Sequence, residues 1–457
     1  MIFGNKILDY WDDILRDLGT LVAIPSVCGT ADGMYPYGKE PARALDTALA
    51  LARSYGLETQ NVDYYAGHAQ YGEGDENAIV MAHLDVVPAG EGWDTDPFQM
   101  VEKDGLLFGR GVSDNKGPAV IALHCLRALK EAGIKGNRKL RVVFGSGEEI
   151  GMDDMTHYFA KEQHPTMGFT PDGRYGICHC EKGLLRFQVS GEASPIISRF
   201  EAGTVVNAVP YKASALLQCA SQDADLLRQK MASIPQGQFS LEERPEGLFI
   251  LSLGRAAHAS SPENGVNAAA NLIELLYSVF DTKLGSFFAW VHDAIGLTFD
   301  GSSYDVACSD EVSGPLTFNL GLIHADAEGA NFTVDIRYPA TQKGSDIIAV
   351  LKERTEKAGL MFHLLYNDEP LYLPKESSLI RLLSGAYEDI TGKPCTLYSM
   401  GGGTYARQMF GKGVAFGASF SGFSSHAHDC NERASIENLK LHAQICLEAM
   451  YRMFVSE

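Results

Sequence analysis

The hydrophobic positions change period several times in the first third of the chain. Near the start, Ile7, Trp11, Ile14, Leu15, Leu18 and Leu21 recur at helical spacing, which predicts an amphipathic helix. Acids lie inside that pattern and no small-residue cleavage site follows it, so a signal peptide is not expected. The stretch NAIVMAHLD, residues 77–85, is a short apolar run with the length of a buried strand. GPAVIALHCLRALKEAGI, residues 117–134, returns to the helical period, with Val120, Leu123, Leu126 and Leu129 on one face. KLRVVFGSGEE, residues 139–149, is strand-like again and runs into two acids. Strand, helix and strand at these lengths predict a βαβ unit, and with it an α/β fold around a mostly parallel sheet. In such sheets, ligands sit beyond the carboxyl ends of the strands. Much later, ANFTVDIRYP (residues 330–339) alternates strictly. Phe332, Val334 and Ile336 fall on one side and Thr333, Asp335 and Arg337 on the other, the pattern of a half-buried strand.

Composition narrows this picture. A chain of 457 residues, 45% hydrophobic and 21% charged, has the make-up of a globular protein and the length of two or three domains. No apolar run is long enough to span a bilayer. The formal charge of −20 argues against nucleic acid or an anionic membrane as partner. Nine cysteines are scattered without framework spacing. Cys178 and Cys180 form a close pair, but no second pair answers it. Reduced thiols and a cytoplasmic location are the expectation.

Candidate chemistry lies where the predicted strands end. His83 and Asp85 close the first strand, and residues two apart on an extended chain point to the same side. A carboxylate behind a His is the usual partner of a metal-bound imidazole; a loop His beside a capping Asp fits the motif equally well. In FGRGVSDNKGPAV (residues 108–120), Ser113, Asp114 and Asn115 precede a helix, and each also suits a helix N-cap. Glu148 and Glu149 repel each other if both are ionised and buried, and a dication nearby reverses that balance. Asp172 follows Pro171 in FTPDGRYG, where a type I turn is the plain reading. Near the far end, SSHAHDCNERASIENL (residues 424–439) sets His426 and His428 before an Asn-Glu pair and a predicted helix.

Five motifs in this order resemble the M20 metallopeptidases, most closely the bacterial PepV-like dipeptidases, over nearly the whole chain. The resemblance implies a di-metal catalytic domain from residues 1–180 and 383–457, with an α+β lid domain, residues 181–382, inserted between them. Carried over, His83, Asp114, Glu149, Asp172 and His428 are the metal ligands. Asp114 bridges two ions, His83 and Asp172 complete one site, and Glu149 and His428 complete the other. Family spacing selects His428 over His426. Asp85 is then the carboxylate behind His83, and Glu148 the general base. Three carboxylates against two divalent ions leave one positive charge, which a bridging hydroxide neutralises. Zinc suits these N and O donors, as do manganese and cobalt.

The same resemblance marks Asn207, His258 and Arg337 as lid residues that grip the substrate and stabilise the tetrahedral intermediate. A helix-cap role for His258 and a solvent-facing position for Arg337 are the alternatives. Gly401, Gly402 and Gly403, with Thr404 and Arg407, are implied to receive the substrate's C-terminal carboxylate. The implied reaction is hydrolysis of unblocked dipeptides. A long lid supplies His258 from the same chain, so a monomer is expected, whereas dimeric relatives with shorter lids borrow this residue. An N-acyl amino acid deacylase on the same scaffold, and an inactive binding protein, are the other readings. The peptide after the bridging Asp is often cis in the family, which points to Asp114–Asn115.

Overall fold

A computed structural model describes residues 2–234 and 238–456. The chain forms two compact units: Met1–Cys180 with Tyr372–Tyr398 and Gly403–Glu457, and Glu181–Leu371 with Ser399–Gly402. Residues 372–382, expected at the end of the insert, fold with the first unit, where Leu373, Leu379 and Ile380 join the core.

The first unit is built on a mixed sheet. Its four central strands, in the order Lys139–Gly145, Asn77–His83, Met167–Thr170 and Gly413–Phe416, run parallel. Ala66–Tyr71 and Glu58–Val62 add to one side and Ile177–Glu181 to the other, all antiparallel. Every residue of Asn77–His83 is buried, as a central strand covered on both faces must be. The helix Lys116–Glu131 packs on this strand and its neighbour, burying Val120, Leu123, Leu126 and Leu129. The helix Ile436–Val455 packs against it in turn. The N-terminal pattern forms a 3₁₀ segment, Gly4–Tyr10, that passes into the helix Trp11–Val22. Its start is pinned by Glu448, whose Oε2 accepts from the amides of Phe3 and Gly4.

The second unit is an eight-stranded antiparallel sheet. The order is Gln238–Arg244, Gly247–Leu253, Lys212–Leu217, Ile197–Ala202, Thr317–Ala325, Ala330–Tyr338, Gly183–Gly191, Met361–Asp368. Its core gathers Phe187, Phe200 and Phe332 from strands with Leu272, Leu276 and Phe287 from helices Ala268–Phe280 and Ser286–Ala294. Ala330–Tyr338 departs from the half-buried pattern. Thr333, Asp335 and Arg337 are buried as well, because Asp335 pairs with Arg186 and Arg337 on that face. All nine cysteines are free thiols. No helix among the described residues is long and apolar enough to cross a membrane.

In the first unit, register decides where the chemistry lands. His83 pairs with Gly145, and Thr170 with Ala415, so the parallel strands end together. The loops that follow carry Asp85, Glu148, Glu149, Asp172 and His428 past one edge.

Candidate active site

His83, the last residue of its strand, is 1% exposed. Its Nδ1 lies 2.9 Å from the carbonyl oxygen of Asp85. A carbonyl can only accept, so Nδ1 carries a proton and Nε2 is the nitrogen left to face a cation. That Nε2 lies 3.1 Å from Asp114 Oδ1 and 3.9 Å from Asp172 Oδ2. The other oxygen of Asp114, Oδ2, lies 3.1 Å from His428 Nε2, which is 3.2 Å from Glu149 Oε2. Ligating atoms of His83, Asp114 and Glu149 fall within 4.8 Å of one another, and so do those of His83, Glu148 and Asp172. His426 is turned away, its Nε2 3.1 Å from Arg433 Nη2.

The helix-cap alternative for residues 113–115 is not realised. Asn115 occupies the cap position without a capping side-chain bond. Its Nδ2 donates instead to Pro171 O at 3.0 Å, tying the Asp114 loop to the Asp172 loop. The Asp114–Asn115 peptide is cis. His426, His428 and Asn431 have φ of 54°, 63° and 56°. That left-handed conformation costs an ordinary residue about 1–2 kcal/mol, so the surroundings must hold it.

Two carboxylates fix the loops around the site in ways the spacing did not disclose. Asp85 was expected to brace His83, yet its carboxylate is 3.5 Å from Nδ1, farther than its own carbonyl. Its oxygens accept instead from the amides of Glu148 (3.2 Å) and Glu149 (3.1 Å). Glu432, fully buried, accepts from the amides of Gly111, Ser113 and Asp114 at 2.9–3.0 Å and from Arg110 Nη1 at 2.8 Å. Arg110 in turn donates to Asp429 O at 3.1 Å. The pair therefore fastens the loop of Asp114 to the loop of His428. The Asn-Glu pair at 431–432 marked the spacing of His428; it was also the signal of this clamp.

The electrostatics are those of a site short of positive charge. Burial and the neighbouring Asp172 carboxylate push the Glu148 carboxyl well above its ordinary range. Hydrogen bonds to the Asp114 and Glu149 carboxylates raise His428 to about 10. Burial opposes protonation of His83, but Asp114 and Asp85 hold its pKa well above the usual value. Each of these shifts is the response of acids and imidazoles to crowding that a divalent cation relieves. Two imidazoles that turn Nε2 inward and several carboxylates fit such an ion, which would take the place of the Nε2 protons.

The second unit gathers the lid residues separately. Arg337 donates through Nε to Asp335 at 2.6 Å and through Nη1 to the carbonyl of Gly401 at 2.7 Å. Asn207 accepts from Ala259 N at 2.9 Å, and Ala208 bridges His258. Thr317, opposite Arg337 in register, donates to Ala259 O at 3.2 Å. The His258 Nδ1 accepts from Ser260 N at 3.2 Å, which leaves the proton on Nε2 as an outward donor. Desolvation and the Arg337 charge lower its pKa, favouring that neutral form. Gly401 and Gly402 belong to this unit; Gly403, Thr404 and Arg407 belong to the first. The Thr404 hydroxyl is occupied as cap of the turn Tyr405–Met409, accepting from Ala406 N. The carbonyl of Gly401 is the acceptor of Arg337 Nη1.

A parallel sheet whose strand ends deliver two histidines and four carboxylates to one place is the architecture of a metallohydrolase. The profile of Peptidase family M20/M25/M40 matches residues 79–452, and the chain belongs to that metal-dependent peptidase family. It is 32% identical over 459 residues to the Beta-Ala-Xaa dipeptidase of Lactobacillus delbrueckii subsp. lactis, covering 98% of this chain and 97% of that protein. Among solved structures it is similar in fold to the aminoacylhistidine dipeptidase of Vibrio alginolyticus (TM-score 0.61, 15% identity, 97% of each chain). Human carnosine dipeptidase 1 is similar in the same way (TM-score 0.58, 15% identity, 98% of each chain).

Proposed function

We propose that the chain is a metal-dependent dipeptidase that cleaves unblocked dipeptides. The observation that supports this most is the division of Asp114 between two imidazoles, one on each carboxylate oxygen. His83, Asp172 and Asp114 would hold one divalent ion, and Glu149, His428 and Asp114 a second. Zinc suits the donors, and manganese or cobalt are accepted by the same set. When bound, the ions polarise the scissile carbonyl and lower the pKa of water.

The chain's own groups supply the remainder. Glu148 takes a proton from the attacking water and passes it to the leaving amine. Asp85 holds the two amides that aim Glu148 and Glu149. The Arg337 guanidinium and the His258 Nε2–H are donors suited to a substrate carboxylate and to the oxyanion of the tetrahedral intermediate. The surplus of acids in the first unit offers acceptors to an N-terminal ammonium. A monomer is the proposed active form. Free thiols are in keeping with a reducing, cytoplasmic setting.

The test pairs elemental analysis with turnover of one dipeptide in free and N-acetylated forms. About two metal equivalents are expected, with acetylation lowering kcat/KM about a hundredfold, as for a lost charge-assisted bond of about 3 kcal/mol. If the acetylated substrate is the faster, the chain is a deacylase; if neither turns over with metal bound, it is a binding protein.

A further inference from the structure

The strand Lys139–Gly145 runs into Ser146, Gly147, Glu148 and Glu149, and each of these four amides is held by a carboxylate. The last two go to Asp85. The first two go to Asp154, whose Oδ2 accepts from Ser146 N at 2.9 Å and Gly147 N at 3.0 Å. Asp154 has no solvent exposure and lies in the first turn of the helix Asp153–Phe159. Its Oδ1 accepts from Met155 N at 2.8 Å, and the hydroxyl of the equally buried Tyr405 donates to Oδ2. Burial raises the pKa of Asp154 to about 7, yet these four groups all donate, so the ionised form is the one they hold. The Tyr405 ring stands edge-on to the His83 imidazole, with centroids 6.3 Å apart.

The packing is close enough to dictate a residue. A Cβ at position 145 would lie 1.8 Å from the Tyr405 hydroxyl and 2.6 Å from Asp154 Oδ2, so only glycine fits there. The first glycine of GSGEE is thus a consequence of the Asp154–Tyr405 pair and not of turn geometry, since its φ is not left-handed.

We propose that Asp154, braced by Tyr405, is a positioning residue of the reaction. It fixes the start of the turn whose second half carries Glu148 and Glu149, and so sets the direction in which both carboxylates leave the backbone. This rests on the reading of Glu148 as base and Glu149 as metal ligand. Asp154 acts only through the two amides and touches neither carboxylate.

In Asp154→Asn, the amide group has one oxygen to serve donors that now converge on two. The turn is therefore expected to loosen while the helix remains. Three readouts follow. The amides of Ser146 to Glu149 should exchange with solvent at least tenfold faster, with other core amides unchanged. Affinity for zinc, measured by chelator competition, should weaken at least fivefold because Glu149 rides on the turn. The kcat should fall tenfold or more with KM within about twofold. Tyr405→Phe removes one donor only and should move all three in the same direction by less. The double variant should be no worse than Asp154→Asn alone, because the hydroxyl works through that carboxylate.

A merely structural role would lower the melting temperature and leave turn exchange, zinc affinity and kcat of the folded protein untouched; that result overturns the proposal. If Asp154→Asn does not fold, wild-type values in Tyr405→Phe overturn it equally. The exchange readout needs neither metal nor substrate. A loosened turn beside a Glu148→Gln enzyme of full activity would therefore reject the base assignment and keep Asp154 as the clamp of the turn.

Discussion

In the first unit, Asp17, Asp85, Arg110, Lys116, Asp154, Glu432 and Glu448 are among the charged side chains with almost no exposure, spread over several loops and helices. In the second, the described charged residues that are buried at all are Glu181, Lys182, Asp335 and Arg337. The partners differ more than the numbers. Asp85, Asp154 and Glu432 grip backbone amides, whereas Asp335 grips two guanidinium groups. A buried carboxylate on amides freezes the path of a loop; one on guanidinium groups aims a donor. Leaving such a charge unpaired costs several kcal/mol, so both arrangements are held firmly. In the first unit buried carboxylates hold loops in place, and in the second Asp335 orients two guanidinium groups.

That contrast breaks most sharply at Glu148. Glu148→Gln should keep its metal, by elemental analysis, while kcat falls about 10²–10⁴-fold, the usual worth of a general base. Nearly full activity would falsify the assignment of the base. The matching blow in the second unit is Arg337→Ala. It should lower kcat/KM for a free dipeptide about a hundredfold and for the dipeptide amide far less, as for a lost charge-assisted contact of about 3 kcal/mol. Equal losses on both substrates would mean that Arg337 is a structural partner of Asp335 and no more.

Acid should separate the units next. His68 and His442 are buried in the first unit on the hydroxyls of Tyr158 and Tyr175, and burial pushes both down to about 3. A depressed folded pKa means that the unfolded chain takes up the proton first, near its ordinary value of about 6.5. Stability is therefore intact above that value and declines as pH falls towards 3, by about 1.4 kcal/mol per pH unit for each histidine. The second unit buries no histidine among its described residues. Amide exchange compared at pH 7 and pH 5 should show protection lost first in the first unit, and His442→Gln should delay that loss. Earlier loss in the second unit would contradict the comparison. The smallest effect is expected at His426, bonded to Arg433 outside the cluster. His426→Ala should stay within about threefold of wild-type kcat/KM, where His428→Ala loses metal; a severe His426 variant would reopen the choice between them.

What could be read beforehand follows physical range. Asn77–His83, Lys116–Glu131 and Lys139–Gly145 are local patterns, and periodicity discloses them. Among the candidate ligands, His83, Glu149 and Asp172 were legible because each lies at or just past a strand end, and Asp114 and His428 because the order of the motifs resembles a known family. Glu432 was not, because its work is done on amides 318–321 positions away in sequence. Asp154 was hidden among acids of a short surface-like helix start. Thr333, Asp335 and Arg337 misled because alternation assumes water on the polar face, and mutual ion pairing replaced it. The end of the insert was placed too late because the apolar residues of 372–382 do not declare which core they join.

The central strand Gly413–Phe416 lies between Met167–Thr170 and Ile177–Glu181, and the helix Ile436–Val455 closes the same core. A ribosome makes the whole contiguous insert before either of these. The antiparallel unit can thus fold as soon as it emerges, while the parallel sheet waits with a gap where its missing strand belongs. At about 5–20 residues per second that wait lasts on the order of tens of seconds. For this interval an apolar strand edge is open to any neighbouring chain. The nascent first unit is therefore where aggregation during synthesis should begin and where a chaperone has most to protect.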